Sequence, residues 1–357
     1  MIKIVLVGEA YGRNEALFEH AFVGSSGVEL ARMAGQSRLA PEPEMKYPSQ
    51  LDMIAYWRKL RLNHGIEVLN VFNTHPLDNE IEEFFTTAKE GVKDLPPLRP
   101  GKYIKPEMFH HVERLWKTLE ELRPNLVIAL GNTACWAILG ETKISAIRGT
   151  VKLSPRLGLK VLPTYHPQAV VKQWNLRPIV LTDLEKAARE AEFAEIRRIE
   201  RWVTVEPDLD EIELWSKLPA DFYAVDIETF NKQISMIGFA RSYNDAIVIP
   251  FMDEHKPGWS YWTSAQDEVK AWRLVEKICN SPIPKVFQNG IYDLSYMLRS
   301  GLRPAKCEHD TMLLSHSLYP EMLKGLGFLG SILSDEIAWK TMRTRGNNIK
   351  TNMKRDE

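Results

Sequence analysis

Over the first 195 residues, short apolar runs alternate with amphipathic stretches. IKIVLVG (2–8) is a continuous apolar run ending in glycine, the pattern of a strand buried on both faces. EVLNVF (67–72), LVIAL (126–130) and KVLPTYHP (160–167) are of the same kind. Between them Met108, Phe109, Val112, Leu115, Trp116, Leu119 and Leu122 recur at helical spacing, with Pro106 at the start of the stretch and Pro124 as its stop. Strands alternating with helices predict a mainly parallel sheet covered on both faces. Such sheets bind ligands beyond the carboxyl ends of their strands, where Gly8, Asn70, Gly131 and His166 lie. The proline- and charge-rich stretch 75–105 predicts a loop excursion, and 183–202 a charged helix. From 221 the pattern changes. FYAVDIET, ISMIGFAR and DAIVIPF follow one another closely through short turns, which predicts an antiparallel meander. A helix (267–279), a strand (285–288) and two helices (290–300 and 310–318) complete that half. The expected organisation is a domain over 1–196, a linker over 197–220, a second domain over 221–335 and a tail over 336–357.

Composition supports two ordinary globular domains. The chain has 357 residues, 44% hydrophobic and 26% charged, which excludes a disordered or collagen-like protein. No apolar run approaches the roughly 20 residues that span a bilayer, so no membrane partner is expected. The opening MIKIVLVGEAYG is too short in its apolar part for a signal peptide. Cys135, Cys279 and Cys307 form no CxxC pair, which argues against a disulfide framework or zinc ribbon and for a reducing cytoplasm. Residues 1–200 carry 27 Lys+Arg against 25 Asp+Glu, so neither half is a bulk polycation. Between Glu141 and Asp183, however, there is no acid, while Lys143, Arg148, Lys152, Arg156, Lys160, Lys172 and Arg177 fall inside. The tail repeats the pattern with Lys340, Arg343, Arg345, Lys350, Lys354 and Arg355. One-sign stretches of this kind suit a phosphate backbone, and Lys143, Arg148, Lys152 and Lys172 are candidate DNA contacts. The plain alternative is a solvated face.

The turn GEAYGRNEALFEHAFVG (8–24) fits neither GxGxxG nor a P-loop. Taken with NVFNTHP after the second strand, IALGNTACWAILG, ISAIRG and VLPTYHP, in that order, it resembles the uracil-DNA glycosylase superfamily, most closely its family 4. The resemblance covers about residues 2–190 and implies a three-layer, parallel-sheet fold that excises uracil from DNA. It implies a pocket built from Gly8 and Ala10 of the first turn, Phe22, Asn70 and His166. The residue types suit that chemistry. An amide such as Asn70 offers both an acceptor and a donor to the Watson–Crick edge of a flipped uracil. Phe22 can stack on the ring, and His166 can stabilise the uracil anion as the glycosidic bond breaks. By motif position Glu9 belongs to the active site, and Glu15 falls where the family crowds the thymine methyl. Each residue also has a plain structural role open to it: a turn cap, a core aromatic, a buried histidine. The family's iron–sulfur cluster is not expected. The chain begins after the first cysteine pair, and Thr74 replaces the cysteine of the NVVKCRP motif. Tyr11 stands where the family has proline. A retained fold without catalysis stays open.

In the second half, FYAVDIET places Asp226 and Glu228 two apart on a strand, projecting from one face. Paired carboxylates on an apolar strand call for a hard cation, Mg²⁺ or Mn²⁺. FQNGIYD adds Asp293, and EHDTMLL adds Asp310. DxE, NxxxD and DTM resemble the DEDD-type 3′–5′ exonuclease domain of A-family DNA polymerases, a ribonuclease H-like fold, over about 221–335. The resemblance implies Asp226, Glu228 and Asp293 as catalytic metal ligands and Asp310 as a structural acid. The family's late YxxxD acid is absent. The expected protein therefore joins a glycosylase-like and a proofreading exonuclease-like domain in DNA replication or repair. It acts on uracil-containing or single-stranded DNA in the cytoplasm, that of a bacterial host if phage-encoded. A polymerase polypeptide carrying the missing motif is a possible partner. The alternative is a non-catalytic, uracil-sensing N-terminal fragment of a phage polymerase with an incomplete exonuclease.

Overall fold

The computed structural model describes residues 2–197 and 199–336. The chain divides into two units. The first comprises the residues up to Arg197 together with those from Gly330 onward, and the second is Arg198–Leu329. No helix among the described residues is long and apolar enough to cross a membrane.

The first unit is built on a five-stranded sheet. Its strands are β1 (Ile4–Ala10), β2 (Ile66–Phe72), β5 (Leu126–Leu130), β6 (Lys152–Leu153) and β7 (Lys160–Thr164), in the order β2-β1-β5-β7-β6. All pairings are parallel except that of the short edge strand β6. Alternate residues feed two cores, because successive side chains of a strand point to opposite faces. Ile4, Leu6, Ile128 and Leu162 pack one way, under α2 (Ser25–Gln36), α3 (Gln50–His64) and α8 (Arg177–Glu190). Val5, Val7, Val127 and Val161 pack the other way, under α4 (Pro106–Leu122) and α5 (Gly131–Leu139). This is the expected three-layer arrangement. Three short helices, α1 (Arg13–Phe18), α6 (Ile144–Ile147) and α7 (Pro167–Lys172), follow β1, α5 and β7.

Two parts of this unit differ from their sequence reading. The excursion 75–105 contains a two-stranded ribbon, β3 (Phe85–Thr86) with β4 (Tyr103–Ile104). It buries Ile81, Phe84, Phe85, Leu95, Leu98 and Ile104 in the second core. Its apolar residues have no regular period, which is why they read as loop. The helix expected over 183–202 begins at Arg177, with Pro178 in its first turn, and ends at Glu190.

Trp202 instead opens β8 (Trp202–Val205), which pairs in parallel with β11 (Asp245–Pro250). The stretch expected as a linker thus supplies a strand and α9 (Leu209–Ser216) to the second unit, where Ile212 and Trp215 are buried. The interstrand ladder, a long-range interaction, overrides the local helical pattern. The second sheet adds β9 (Tyr223–Phe230), β10 (Gln233–Ala240), β12 (Lys285–Phe287) and β13 (Cys307–Asp310), in the order β13-β12-β9-β10-β11-β8. β9, β10 and β11 form the antiparallel meander, and β12 and β13 add in parallel on the far side of β9. Meander first and parallel strands next to its first member make the ribonuclease H-like order. Helices α10 (Ala265–Asn280), α11 (Gly290–Arg299) and α12 (Thr311–Leu318) follow in sequence, and the boundary between the units at Gly330 falls within α13 (Leu326–Leu333). The basic tail residues Lys340 to Arg355 lie outside the described residues.

Candidate functional site

The carboxyl-end residues of β1 and β2 and the turn after β7 meet at one cavity of about 520 Å³. Glu9, Ala10, Tyr11, Glu15, Phe22, Asn70, His166 and Lys172 all line it. In-register pairing of Gly8 with Asn70 brings the first two strand ends level. A side chain at Gly8 is excluded by the approach of its neighbours. A Cβ there would lie 2.3 Å from Asn70 Oδ1 and 2.5 Å from Phe22 Cζ, so the amide and the ring edge meet over this glycine. Asn70 is only 2% exposed, and among the described residues its side chain makes no hydrogen bond. Its amide borders the cavity, open to an incoming ligand.

Phe22 is held in a left-handed backbone conformation, φ +58°, which is uncommon for an aromatic residue. Three contacts hold it there. The Phe22 amide donates to Glu15 Oε1 at 2.7 Å, and the Trp57 indole donates to the Phe22 carbonyl at 2.9 Å. Gly27 lies so close beneath that a Cβ would collide with the Phe22 carbonyl. Glu15 also accepts from Gly12 N at 2.6 Å, capping α1 as its third residue. Burial raises its pKa against these bonds. Glu9 is likewise raised, by burial first, and accepts a hydrogen bond from Thr133 Oγ1.

His166 follows β7 and caps α7. Its ring stacks beside that of Phe22, with centroids 6.2 Å apart. Burial lowers its pKa to about 4, so the imidazole is neutral at physiological pH. Nδ1 accepts from Gln168 N at 3.2 Å, which places the single proton on Nε2. Gly131, with φ +85°, lets the turn after β5 pass close to the His166 Cβ.

The basic stretch does not form one patch. Arg148 is 3% exposed and paired with Asp183, so it is a buried ion pair and no surface contact for DNA. Lys152, Lys160 and Arg177 are paired with Glu141, Glu190 and Glu29. These acids lie outside or at the edges of the acid-free window, and folding brings them to it. Lys143 is exposed, and Lys172 is exposed at the cavity.

In the second unit Asp226 and Glu228 lie on the exposed face of β9, alternating with buried Val225 and Ile227. Asp293 on α11 is 4% exposed and accepts from Ile227 N at 3.1 Å. Burial, and then the neighbouring Asp226 carboxylate, push its pKa up to about 6. Asp310 takes a different part. Its carboxylate accepts from the amides of Asn289, Gly290, Met312 and Leu313. Burial works against the charge, but these amides outweigh it and hold the pKa below the ordinary range. It fastens the starts of α11 and α12. Asp226 and Asp293 are thus mutually crowded acids, yet among the described residues no three His, Cys, Asp or Glu side chains gather to hold a metal ion. The expected three-acid cluster is therefore incomplete. Residues two apart on a strand are separated by about 6–7 Å, which sets Glu228 a step along β9 from Asp226.

Residues 1–194 match the Uracil DNA glycosylase superfamily. The chain belongs to the uracil-DNA glycosylase superfamily. It is 28% identical over 191 residues to the type-4 uracil-DNA glycosylase of Archaeoglobus fulgidus, covering 52% of this chain and 74% of that one. The type-4 enzyme of Thermotoga maritima is 25% identical over 189 residues, 52% of this chain and 76% of that one. A DNA polymerase of Bacillus phage SP01 is 29% identical over 131 residues, 34% of this chain but only 14% of the polymerase. Among solved structures, Brucella melitensis NrnC is 20% identical with a TM-score of 0.26, covering 40% of this chain and 63% of its own. The EXD2 exonuclease domain soaked in Mn and GMP is 19% identical with a TM-score of 0.25, covering 37% and 69%.

The glycosylase unit does not fit the four-cysteine cluster that its resemblance to family 4 brings with it. Cys135 is its one cysteine among residues 1–200, fully buried on α5 with its thiol pushed upward by burial. Thr74 contributes its backbone, its carbonyl accepting from Tyr11 N at 3.2 Å. Several residues at or behind the cavity carry no mark in the sequence reading. Thr133 lies within the GNTACW turn, so motif position could have marked it. Trp57, and Arg114, which donates to the Asn70 and Val71 carbonyls, carry no local signal.

Proposed function

We propose that the first unit hydrolyses the N-glycosidic bond of uracil in DNA. The observation that carries this reading is the meeting of Phe22, unpartnered Asn70 and neutral His166 at one cavity. A uracil swung out of the stack lies against Phe22 and is read by the Asn70 amide along its N3–H and O4 edge. The His166 Nε2–H donates to O2 as negative charge develops there. A neutral donor stabilises the leaving anion without transferring its proton. Glu9, held by Thr133, directs the attacking water, and Gly8 and Ala10 bring backbone close to the base. Lys172 at the cavity, with the exposed Lys143 of the same unit, contacts phosphates.

The second unit is a 3′–5′ exonuclease of the proofreading type, working beside a polymerase polypeptide that completes its acid set. The crowding of Asp226 and Asp293 supports this. Mg²⁺ or Mn²⁺, held by Asp226 and Asp293 together with the acid of that polypeptide and with Glu228 at the edge of the site, would supply water activation and stabilise the leaving 3′ oxygen. The setting is DNA replication or repair in the cytoplasm.

The test is release of free uracil from a uracil-containing oligonucleotide by the full chain. His166→Ala should slow it by two or more orders of magnitude, the scale of losing one such donor. Binding of the oligonucleotide with no release by the wild type would instead favour a uracil sensor, and equal release by both would remove His166 from the mechanism.

A further inference from the structure

The family match ends at residue 194, but the folded unit does not. Residues from Gly330 onward belong with the first unit, and their docking is built from buried charge. Lys186 on α8 is 2% exposed. Its ammonium donates to three backbone carbonyls: Gly149 at 2.8 Å, Ser331 at 2.9 Å and Ser334 at 2.7 Å. Arg148 donates through Nη1 to Ser331 Oγ at 2.8 Å and through Nε to Asp183 Oδ2 at 2.9 Å. The same Asp183 oxygen accepts from Thr164 Oγ1 at 2.6 Å. Gly149 N donates to the Pro163 carbonyl at 2.9 Å. Gly149 has φ +70°, and a Cβ on it would lie 2.7 Å from Asp183 Oδ1 and 3.1 Å from the Ser331 carbonyl. Only a bare backbone fits between the acid and the returning chain.

Two cations and one acid are buried here. Asp335 of the returning segment lies close enough to act on Lys186 and pairs with Arg189, and the Lys186 ammonium itself is met by carbonyls. Two of the three that hold Lys186 come from residues 331 and 334. Charged donors out of water are tolerated only when fully hydrogen-bonded. The segment is therefore part of the electrostatic closure of this core. Thr164 ends β7, two residues before His166, so Asp183 ties the returning segment to the strand end that carries the histidine.

We propose that residues 330–336 complete the glycosylase unit and, through Lys186, Arg148 and Asp183, position the strand end bearing His166; the second unit is thus inserted into the first and not appended to it. The part concerning His166 rests on the glycosylase reading above. Lys186 and Arg148 are positioning residues, since neither lines the cavity.

The experiment compares full-length wild type with Lys186→Met, Lys186→Arg and Ser331→Ala. Backbone hydrogen exchange is measured over residues 330–336 and 160–168, alongside steady-state uracil release. Lys186→Met should speed exchange about tenfold or more in both segments. It should lower kcat about tenfold with KM for DNA little changed, and Lys186→Arg should recover most of both. Ser331→Ala, which removes one acceptor of Arg148, should shift the same two segments less, and it carries the test if Lys186→Met does not fold. Rapid exchange of 330–336 in the wild type, or loosening of 330–336 with 160–168 unchanged, would overturn the proposal. Exchange is independent of activity. Linked exchange in a wild type that releases no uracil would uphold the positioning and reject the glycosylase reading.

Discussion

Glu15→Gln isolates the device that seats the Phe22 ring. Glu15 is 7% exposed and its two oxygens accept from two backbone amides, Gly12 N at 2.6 Å and Phe22 N at 2.7 Å. Glutamine keeps the size but has one carbonyl oxygen, so one amide must face an NH₂ group. Leaving a buried donor unmade costs about 1–3 kcal/mol. Relief of the cost of burying a charge, visible as the raised Glu15 pKa, offsets part of this, and a net loss of about 1–2 kcal/mol is expected. The larger consequence is local. Phe22 at φ +58° is a conformation whose strain is of order 1–3 kcal/mol and must be held by its surroundings. With Glu15 altered, the Trp57 bond and the close approach of Gly27 remain, and the ring is less firmly presented. Base–aromatic stacking is worth about 1–3 kcal/mol, so kcat/KM for uracil release should fall by roughly 5- to 100-fold. Stability is read from the urea midpoint, and activity from an oligonucleotide with one uracil. If Glu15 acts through Phe22, the change should have little further effect on rate in a Phe22→Ala background. Full additivity of the two substitutions, or an unchanged rate with a lowered midpoint, would refute this account.

Gly8→Ala should impair uracil release more than stability, because its methyl would strike the far ends of Asn70 and Phe22; normal kinetics would show that these side chains can shift without consequence. Burial lowers His166 and His111 to about 4 from an ordinary value of 6.5. The unfolded chain then binds more protons between those values, so stability is complete above pH 6.5 and is lost as pH falls toward 4. The His166 share is at most about 3 kcal/mol. Because Asp293, raised to about 6, acts with the opposite sign over the same range, the check is differential: His166→Gln should flatten the fall of the urea midpoint between pH 7 and 5, and an unchanged pH dependence would contradict the assignment. Asp226→Ala, on the exposed face of β9, should change stability by less than about 0.5 kcal/mol. With Mn²⁺ and the downstream polymerase polypeptide present, it should abolish degradation of single-stranded DNA while uracil release continues. Persisting nuclease activity would remove Asp226 from the metal site.

The two sheets and most of their strands were legible in the sequence because each carries its own local signal. Continuous apolar runs mark strands buried on both faces, as in β1 and β5, and strict alternation marks β9, with Val225 and Ile227 inward and Asp226 and Glu228 outward. The order of motifs along the first half likewise named the residues that line the cavity, since each follows a parallel strand and such ends converge by topology. Other features depended on partners distant in the chain. Trp202–Val205 became a strand because β11 offered an unpaired edge. The basic window around Lys160 lost its surface character because Asp183, Glu190 and Glu29 fold against it. The left-handed Phe22, the tautomer of His166 and the return of residues 330–336 to the first unit are likewise outcomes of packing. A sequence by itself specifies side-chain chemistry and periodicity. Burial, charge pairing and backbone strain are set by neighbours that only the tertiary structure brings within a few ångströms.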